Sequence, residues 1–267
     1  MKTLLLLGHA HDSTIPALSC LLHERGSARV ECLTDAELVA APNWQIQLCN
    51  ATTDWKLTLA DGRHFSAQTV DALYSRLGYL TPPPFANATD TAYAQAEWHA
   101  LLAGWLQNLG PTRRLGTLFP TTLAVGTANP LLRIHQLAQA GLPVTDLWVT
   151  ATPPKQGLST MTTSTGGQWR QEPLNHQFSS VLATRQTLTG SLARVFRTGI
   201  RQLQAQLDCE LLQVYFCQSV SGHWKATNYQ TLVQPDSEAQ LAALATYLIQ
   251  RTHAPTEPAT HLTPALP

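Results

Sequence analysis

His9-Ala10-His11-Asp12 follows the apolar run Leu4-Leu5-Leu6-Leu7-Gly8 at the start of the chain. Alternate histidines at a strand end can point together, and with a carboxylate they are the most metal-like group in this sequence. A metal hydrolase built on His9, His11 and Asp12 needs further ligands. His64, His99, His135, His176 and His223 stand singly, with no HxxxH pair and no helical glutamate pattern. The simpler reading is a polar strand-end loop that leads into a helix cap. A second candidate is Ser75-Arg76-Leu77, where a guanidinium at a strand end holds a carboxylate or phosphate through its fork, or else pairs at the surface with a helix carboxylate. Gly166-Gly167 lacks the Gly-Lys-Ser/Thr ending of a P-loop and the spacing of a dinucleotide fingerprint, so it reads as a hairpin turn or connector. No GxSxG elbow occurs and no cysteine sits in a nucleophile setting, which leaves covalent catalysis without support.

Composition narrows the partners. Lysine plus arginine equals aspartate plus glutamate at 17 each, and only 13% of the 267 residues are charged. No global field attracts nucleic acid or an anionic membrane. Only four lysines occur, Lys2, Lys56, Lys155 and Lys225, and phosphate chemistry usually wants a fixed cation. The five cysteines are odd in number and make no CxxC pair, so a reducing cytoplasm is the expected location. The apolar start is too short for a signal sequence, and no apolar run is long enough to cross a bilayer.

The elements that must position these residues follow from periodicity. Leu4 to Leu7 reads as a buried strand. A helix from Ser13-Thr14-Ile15-Pro16 carries Ile15, Leu18, Leu21 and Leu22 on one face until Gly26, and Ala28 to Leu33 reads as a second strand. That order opens a parallel α/β sheet with a right-handed crossover. Trp44 to Cys49 and Trp55 to Leu59 read as a hairpin excursion, closed by the turn Asp61-Gly62. Val70 to Tyr74 returns as a strand ending at Arg76. A long helix runs from Asp90 to about Leu109, with Trp98 and Trp105 as core packing. A helix after Asn129-Pro130 is capped by Gly141, and Leu147 to Thr150 is strand-like. Residues 151 to 177 turn rich in Thr, Ser, Gly, Gln and Pro. A helix is expected again from Ser191, burying Leu192, Val195, Phe196, Ile200, Leu203 and Leu207. Strands Leu211 to Cys217 and His223 to Asn228 flank Ser221-Gly222. A last helix starts at a Ser237/Gln240 capping box.

The passage from Asn129-Pro130 through Gly141-Leu142-Pro143 to Leu147-Trp148-Val149-Thr150 resembles the link between the two parts of ATP-grasp peptide ligases, the group of RimK-like and microviridin-type macrocycle ligases. Val70 to Arg76 resembles the family strand that ends in arginine, and Tyr93 to Glu97 the start of its next helix. The resemblance implies an N-terminal parallel α/β (pre-ATP-grasp-like) domain over residues 1 to 126 and a connecting helix and strand over 127 to 150. A reduced α+β ATP-grasp-like domain would follow over 151 to 252, then a disordered tail from 253 to 267.

The resemblance also implies ATP and magnesium, and here the charged residues thin out. Asn228 falls at the family's metal-binding asparagine, but the carboxylate two positions earlier falls on Ala226, and the strand Leu211 to Cys217 contains no acid. A hard cation prefers charged oxygen ligands. The leading expectation is therefore a catalytically degenerate ATP-grasp-like protein of a peptide-modifying or natural-product pathway, binding a peptide or protein partner and forming a homodimer. The alternative is a divergent carboxylate-amine ligase acting through an acyl-phosphate. In that reading Arg76 contacts the substrate carboxylate, Lys155 or Arg194 faces phosphate, and Asn228 with Glu210 holds magnesium.

Overall fold

The computed structural model describes residues 1–26, 28–48, 53–81, 83, 85–109, 113–116, 130–145, 147–150, 159–162, 168–171 and 174–254. Lys155, the Gly166-Gly167 turn, Asn129 and the tail from 255 onward lie outside the described residues. The chain divides into two compact units, Met1–Leu115 with Leu248–Pro267, and Gly116–Tyr247.

The first unit runs β1 (Thr3–Gly8), α1 (Thr14–Glu24), β2 (Arg29–Thr34), α2 (Asp35–Val39), β3 (Asn43–Leu48), β4 (Thr53–Thr58), β5 (His64–Ser66), β6 (Ala72–Ser75), α3 (Ala88–Asn108) and β7 (Arg114–Leu115). Its parallel sheet has the order β2-β1-β6-β7. Leu4, Leu5, Leu6 and Leu7 are all fully buried. A central parallel strand is covered on both faces, which is why it reads as an unbroken apolar run rather than an alternating one. The chain leaves β1 for β2 on one side and later returns as β6 on the other, so the carboxyl ends of β1 and β6 flank the point where strand order reverses. Open α/β sheets bind ligands at such a point.

The expected hairpin is present as an antiparallel sheet of order β3-β4-β5. It is held to α3 by tryptophans, with Trp44 and Trp55 each set edge-on against Trp105 at 5.2 and 5.1 Å between ring centroids. Trp105 is fully buried, as its place on the helical stripe requires. The short helix α2 is absent from the sequence reading, yet its signal is in the chain. Thr34 and Glu37 form a reciprocal capping box, the T-x-x-E pattern that marks a helix start.

In the second unit, α4 (Pro130–Gln139) precedes β8 (Leu147–Thr150), β9 (Ser159–Thr162) and β10 (Gln168–Gln171), which form an antiparallel sheet of order β8-β10-β9. Then come β11 (Leu174–Ala183), β12 (Leu188–Thr189), α5 (Arg197–Gln206), β13 (Leu212–Ser219), β14 (Trp224–Gln230) and α6 (Glu238–His253), with an antiparallel sheet of order β12-β11-β13-β14. Helix α6 belongs to the second unit through Tyr247 and to the first from Leu248. Leu137, Ala140 and Leu142 from the α4 segment, and Ile200 and Leu203 from α5, pack with Val181, Val214 and Phe216 of the sheet in one buried cluster.

Three expectations change. The strands β9 to β12 are absent from the sequence reading, because β9 and β10 are polar runs of Ser, Thr and Gln and the apolar residues of β11, among them Phe178 and Val181-Leu182-Ala183, do not alternate. The helix expected from Ser191 starts only at Arg197. Gly190 takes φ +143, a Cβ there would sit 2.4 Å from the Ser180 carbonyl oxygen, and Val195 is 70% exposed. This tight approach turns the chain before a helix can begin. At the last helix, Ser237 Oγ accepts from Gln240 N at 3.3 Å, but the Gln240 side chain accepts from Asp236 N instead of closing the box on Ser237.

The cap of α4 matches its sequence signal. Gly141 at φ +74 lets its N–H reach the Ala138 carbonyl and that of Leu142 reach Leu137, a Schellman closure with Leu142 buried beneath it. Gly141→Ala places a Cβ in the left-handed region and is expected to cost about 1–2 kcal/mol, read as a lowered denaturant midpoint with an unchanged slope.

Candidate functional site

Two clusters of polar side chains are built by the sheets, one in each unit. In the first, β1 and β6 end side by side and deliver His9 to Asp12 and Arg76. The Arg76 Nε donates to Asp12 Oδ2 at 2.6 Å, with only 7% of the arginine side chain and 12% of the aspartate exposed. Asp12 Oδ1 also accepts from Thr14 N at 2.9 Å. Burial opposes charge on Asp12, but the Arg76 hydrogen bond and positive charge outweigh it and hold the carboxyl below its ordinary range. Beneath them the buried Tyr74 phenol is pushed up to about 12 by desolvation.

Asp35, at the start of α2, ties down the other half of the loop. It accepts from Ala10 N at 3.0 Å and lies 2.8 Å from His9 Nδ1. Its burial is likewise outweighed by these bonds, and its carboxyl is lowered. The rings of His9 and His11 do lie together, stacked at 5.5 Å and 16°, and Tyr79 packs on His9 at 4.4 Å. This is not a metal arrangement. Asp12 is committed to Arg76, and among the described residues no three metal-ligating side chains converge. Nor do these residues stand at a sheet edge, since β1 and β6 are the two inner strands.

The second cluster lies on the β11-β13-β14 sheet. Side chains alternate along strands, so while Val181, Val214 and Phe216 face the α4 and α5 side, Ser180, Gln213, Tyr215, Asn228 and Gln230 face the other way. At one end this face is closed by a network of amides and a hydroxyl that ends on the Asp236 carboxylate. Gln213 Nε2 donates to the Gln234 carbonyl at 2.7 Å and to Ser180 Oγ at 3.0 Å, and Gln213 Oε1 accepts from Gln234 N at 2.6 Å. Gln240 from α6 donates to Ser180 Oγ at 3.0 Å, and Ser180 Oγ donates to Asp236 at 2.6 Å. Gln213 is fully buried and Gln240 nearly so. At the other end Tyr215, opposite Asn228 in the ladder, takes a hydrogen bond from Gln230. Lys225 pairs in register with Cys217 on the same face.

Among the described residues, the expected site residues of this unit, Asn228, Glu210 and Arg194, each have their own surroundings. Asn228 Oδ1 accepts from Arg133 Nη1 of α4 at 3.0 Å. Glu210 accepts from the Tyr247 hydroxyl at 2.7 Å and from Arg185 at 3.4 Å. Asn228 stands opposite Tyr215, five residues along from Glu210, which is about 16 Å at strand rise. Their hydrogen-bond partners, Arg133 for one and Tyr247 with Arg185 for the other, are also different. Arg194 is exposed and lines, with Arg197, Leu188 and Gly190, a cavity of about 330 Å³ to which neither Asn228 nor Glu210 contributes.

With that geometry in hand, the solved structures decide the architecture. The chain superposes on the macrocyclase MdnB of Microcystis aeruginosa MRC with a TM-score of 0.70, 15% identity, and 93% of this chain and 99% of that one covered. The chain has the ATP-grasp ligase fold. Other structures with this fold agree. The macrocyclase MdnC, bound with precursor peptide MdnA, gives 0.72 at 10% identity over 93% and 99% of the two chains. A Chryseobacterium gregarium RiPP-associated ATP-grasp ligase, in complex with ADP and a leader and core peptide, gives 0.69 at 10% over 94% and 96%. No protein-family profile matches the chain. No curated protein matches its sequence.

Magnesium, which an ATP-grasp reading brings with it, does not fit the described residues of the β11-β13-β14 face. The position two before Asn228 is a fully buried alanine, Ala226, on the opposite face. Asp236 is bonded to Ser180, and Glu210 is directed to Tyr247 and Arg185. A hard divalent cation needs several oxygen ligands with charge among them, and apart from Asp236, which Ser180 engages, the described residues of this face offer amides, hydroxyls and Lys225. Sequence reasoning passed over Gln213, Tyr215, Lys225 and Asp35. Gln213 and Tyr215 were legible only as alternate positions on β13, Lys225 only through its pairing with Cys217 across to β14, and Asp35 only through the Thr34/Glu37 box.

Proposed function

We propose that this chain is a peptide-binding protein of a peptide-modifying pathway whose ATP-grasp fold no longer runs magnesium-dependent ligation. The observation that carries the reading is the Gln213–Gln240–Ser180 network, which takes up the Asp236 carboxylate through Ser180, with Asn228 held by Arg133, where phosphate-bound magnesium would need several carboxylates. The fold neighbours solved with precursor, leader or core peptides make a peptide the natural partner class. No helix among the described residues is long and apolar enough to cross a membrane, and a cytoplasmic place of work is part of the proposal. A homodimer is part of the proposal, with a monomeric mass by light scattering at micromolar concentration as the result that removes it.

The deciding measurement is thermal unfolding with ATP, with and without magnesium. A native state that binds a ligand at a hundredfold excess over its Kd gains about 2.7 kcal/mol, which raises Tm by several degrees. No magnesium-dependent shift at millimolar ATP is the expected outcome. A clear magnesium-dependent shift that disappears in Asn228→Ala supports instead the divergent carboxylate-amine ligase acting through an acyl-phosphate.

A further inference from the structure

Helix α3 carries more apolar surface than its own core covers. Leu102, Trp105 and Leu106 are buried, but in the N-terminal half Tyr93 is 68% exposed, and Phe85 just before the helix is 49% exposed. These two residues, with Trp98 and Leu101, line an open groove of about 630 Å³. Trp98 packs on Trp44 at 5.8 Å between ring centroids, so the groove floor is fixed to the β3-β4 hairpin. Among the described residues of the lining, the charged ones are Asp90 and Glu97, both exposed. Among the described residues neither has an ion-pair partner.

Asp90, Tyr93, Glu97, Trp98 and Leu101 follow one another at helical spacing of three, four, one and three residues, which sets them on one side of α3. Seven residues separate the two carboxylates, about 10 Å along the helix, with Tyr93 between them. An occupant that matches this surface needs two cations about 10 Å apart with apolar side chains between, which is the i, i+7 spacing of lysines or arginines on an amphipathic helix.

We infer that the groove on α3 is a docking site for a basic amphipathic helical segment of a peptide partner, its two cations set on Asp90 and Glu97 and its apolar residues against Phe85, Tyr93, Trp98 and Leu101. This rests on the reading that the chain works by holding a peptide, and it names where and by what chemistry. Lysine stems lie along the aromatic faces while the ammonium groups reach the carboxylates. Charge here selects the partner and speeds encounter more than it adds affinity, so binding weakens with salt.

The test uses the full chain and two fluorescein-labelled helical peptides of about four turns on an Ala/Gln background. Each has leucines at i+3 and i+4, and they differ in carrying Lys or Glu at i and i+7. Anisotropy at low salt is expected to show the lysine peptide bound at least about tenfold more tightly than the glutamate peptide. The double reversal Asp90→Lys with Glu97→Lys, both at exposed positions, is expected to invert that preference, and Tyr93→Ala to weaken both peptides. Equal binding, a preference untouched by the reversal, or no binding at tens of micromolar overturns the proposal. So does a dimer that Tyr93→Lys dissociates while the lysine peptide fails to bind, because a second copy is then the occupant. A magnesium-dependent ATP shift would overturn the reading of the sheet face and leave a charge-selective groove standing. Loss of charge selectivity would do the reverse.

Discussion

Arg76→Ala is expected to destabilise the chain by about 3–5 kcal/mol, because it leaves the buried Asp12 carboxylate without its cation. Almost none of the guanidinium reaches solvent, and its Nε sits 2.6 Å from Asp12 Oδ2. Water cannot replace such a partner without opening the sheet end. Replacing the pair together, Asp12→Leu with Arg76→Met, is expected to recover most of the loss, since desolvating two charges costs nearly what their attraction returns. Chemical denaturation of the single and double variants at neutral pH reads both outcomes.

The same pair fixes a pH dependence. Asp12 ionises more readily in the folded chain than at its ordinary 3.8. Its stabilisation is therefore complete above that value and is lost as pH falls through the lower folded pKa. Asp35, lowered by His9 and Ala10 despite its burial, acts in the same direction. A Tm profile between neutral and strongly acidic pH should fall in that lower window, and Asp12→Asn should make it shallower.

Gln213→Ala carries the second large effect, an expected loss of about 2–4 kcal/mol, since unmet buried polar groups cost about 1–3 kcal/mol each. The side-chain amide of Gln213 clamps both peptide groups of Gln234 and reaches Ser180. Alanine removes all three bonds and leaves a void at a fully buried site. Gln213→Glu distinguishes a polar network from simple packing. Its carboxylic acid donates to the Gln234 carbonyl when protonated, but the carboxylate meets that carbonyl oxygen with a lone pair. The variant should approach wild-type stability in mild acid and lose it as pH rises, whereas a packing role alone gives equal loss at all pH values.

The sequence carried the first unit well. Leu4 to Leu7 could only be a central strand, and the helical stripe with Trp98 and Trp105 could only face a core, because burial on both sides or on one side leaves a pattern in neighbouring residues. The Gly141 stop was legible for the same local reason, since only glycine enters that φ cheaply. The strands between 159 and 183 left no such trace. β9 and β10 are polar, the apolar residues of β11 do not alternate, and the pairing of β11 with β13 joins residues about thirty or more positions apart, such as Ala183 and Leu212.

By itself, then, the sequence determined the parallel α/β opening, the hairpin, the link through Gly141 and the scarcity of carboxylates beyond it, all of which are local or countable. Only the tertiary structure decided what the polar residues do. It committed Asp12 to Arg76 rather than to a metal, set Glu210 far from Asn228, and joined Gln213 to Gln240 across the sheet and helix. Partner choice among polar groups depends on distances between segments remote in the chain, and those distances exist only once the sheets have formed.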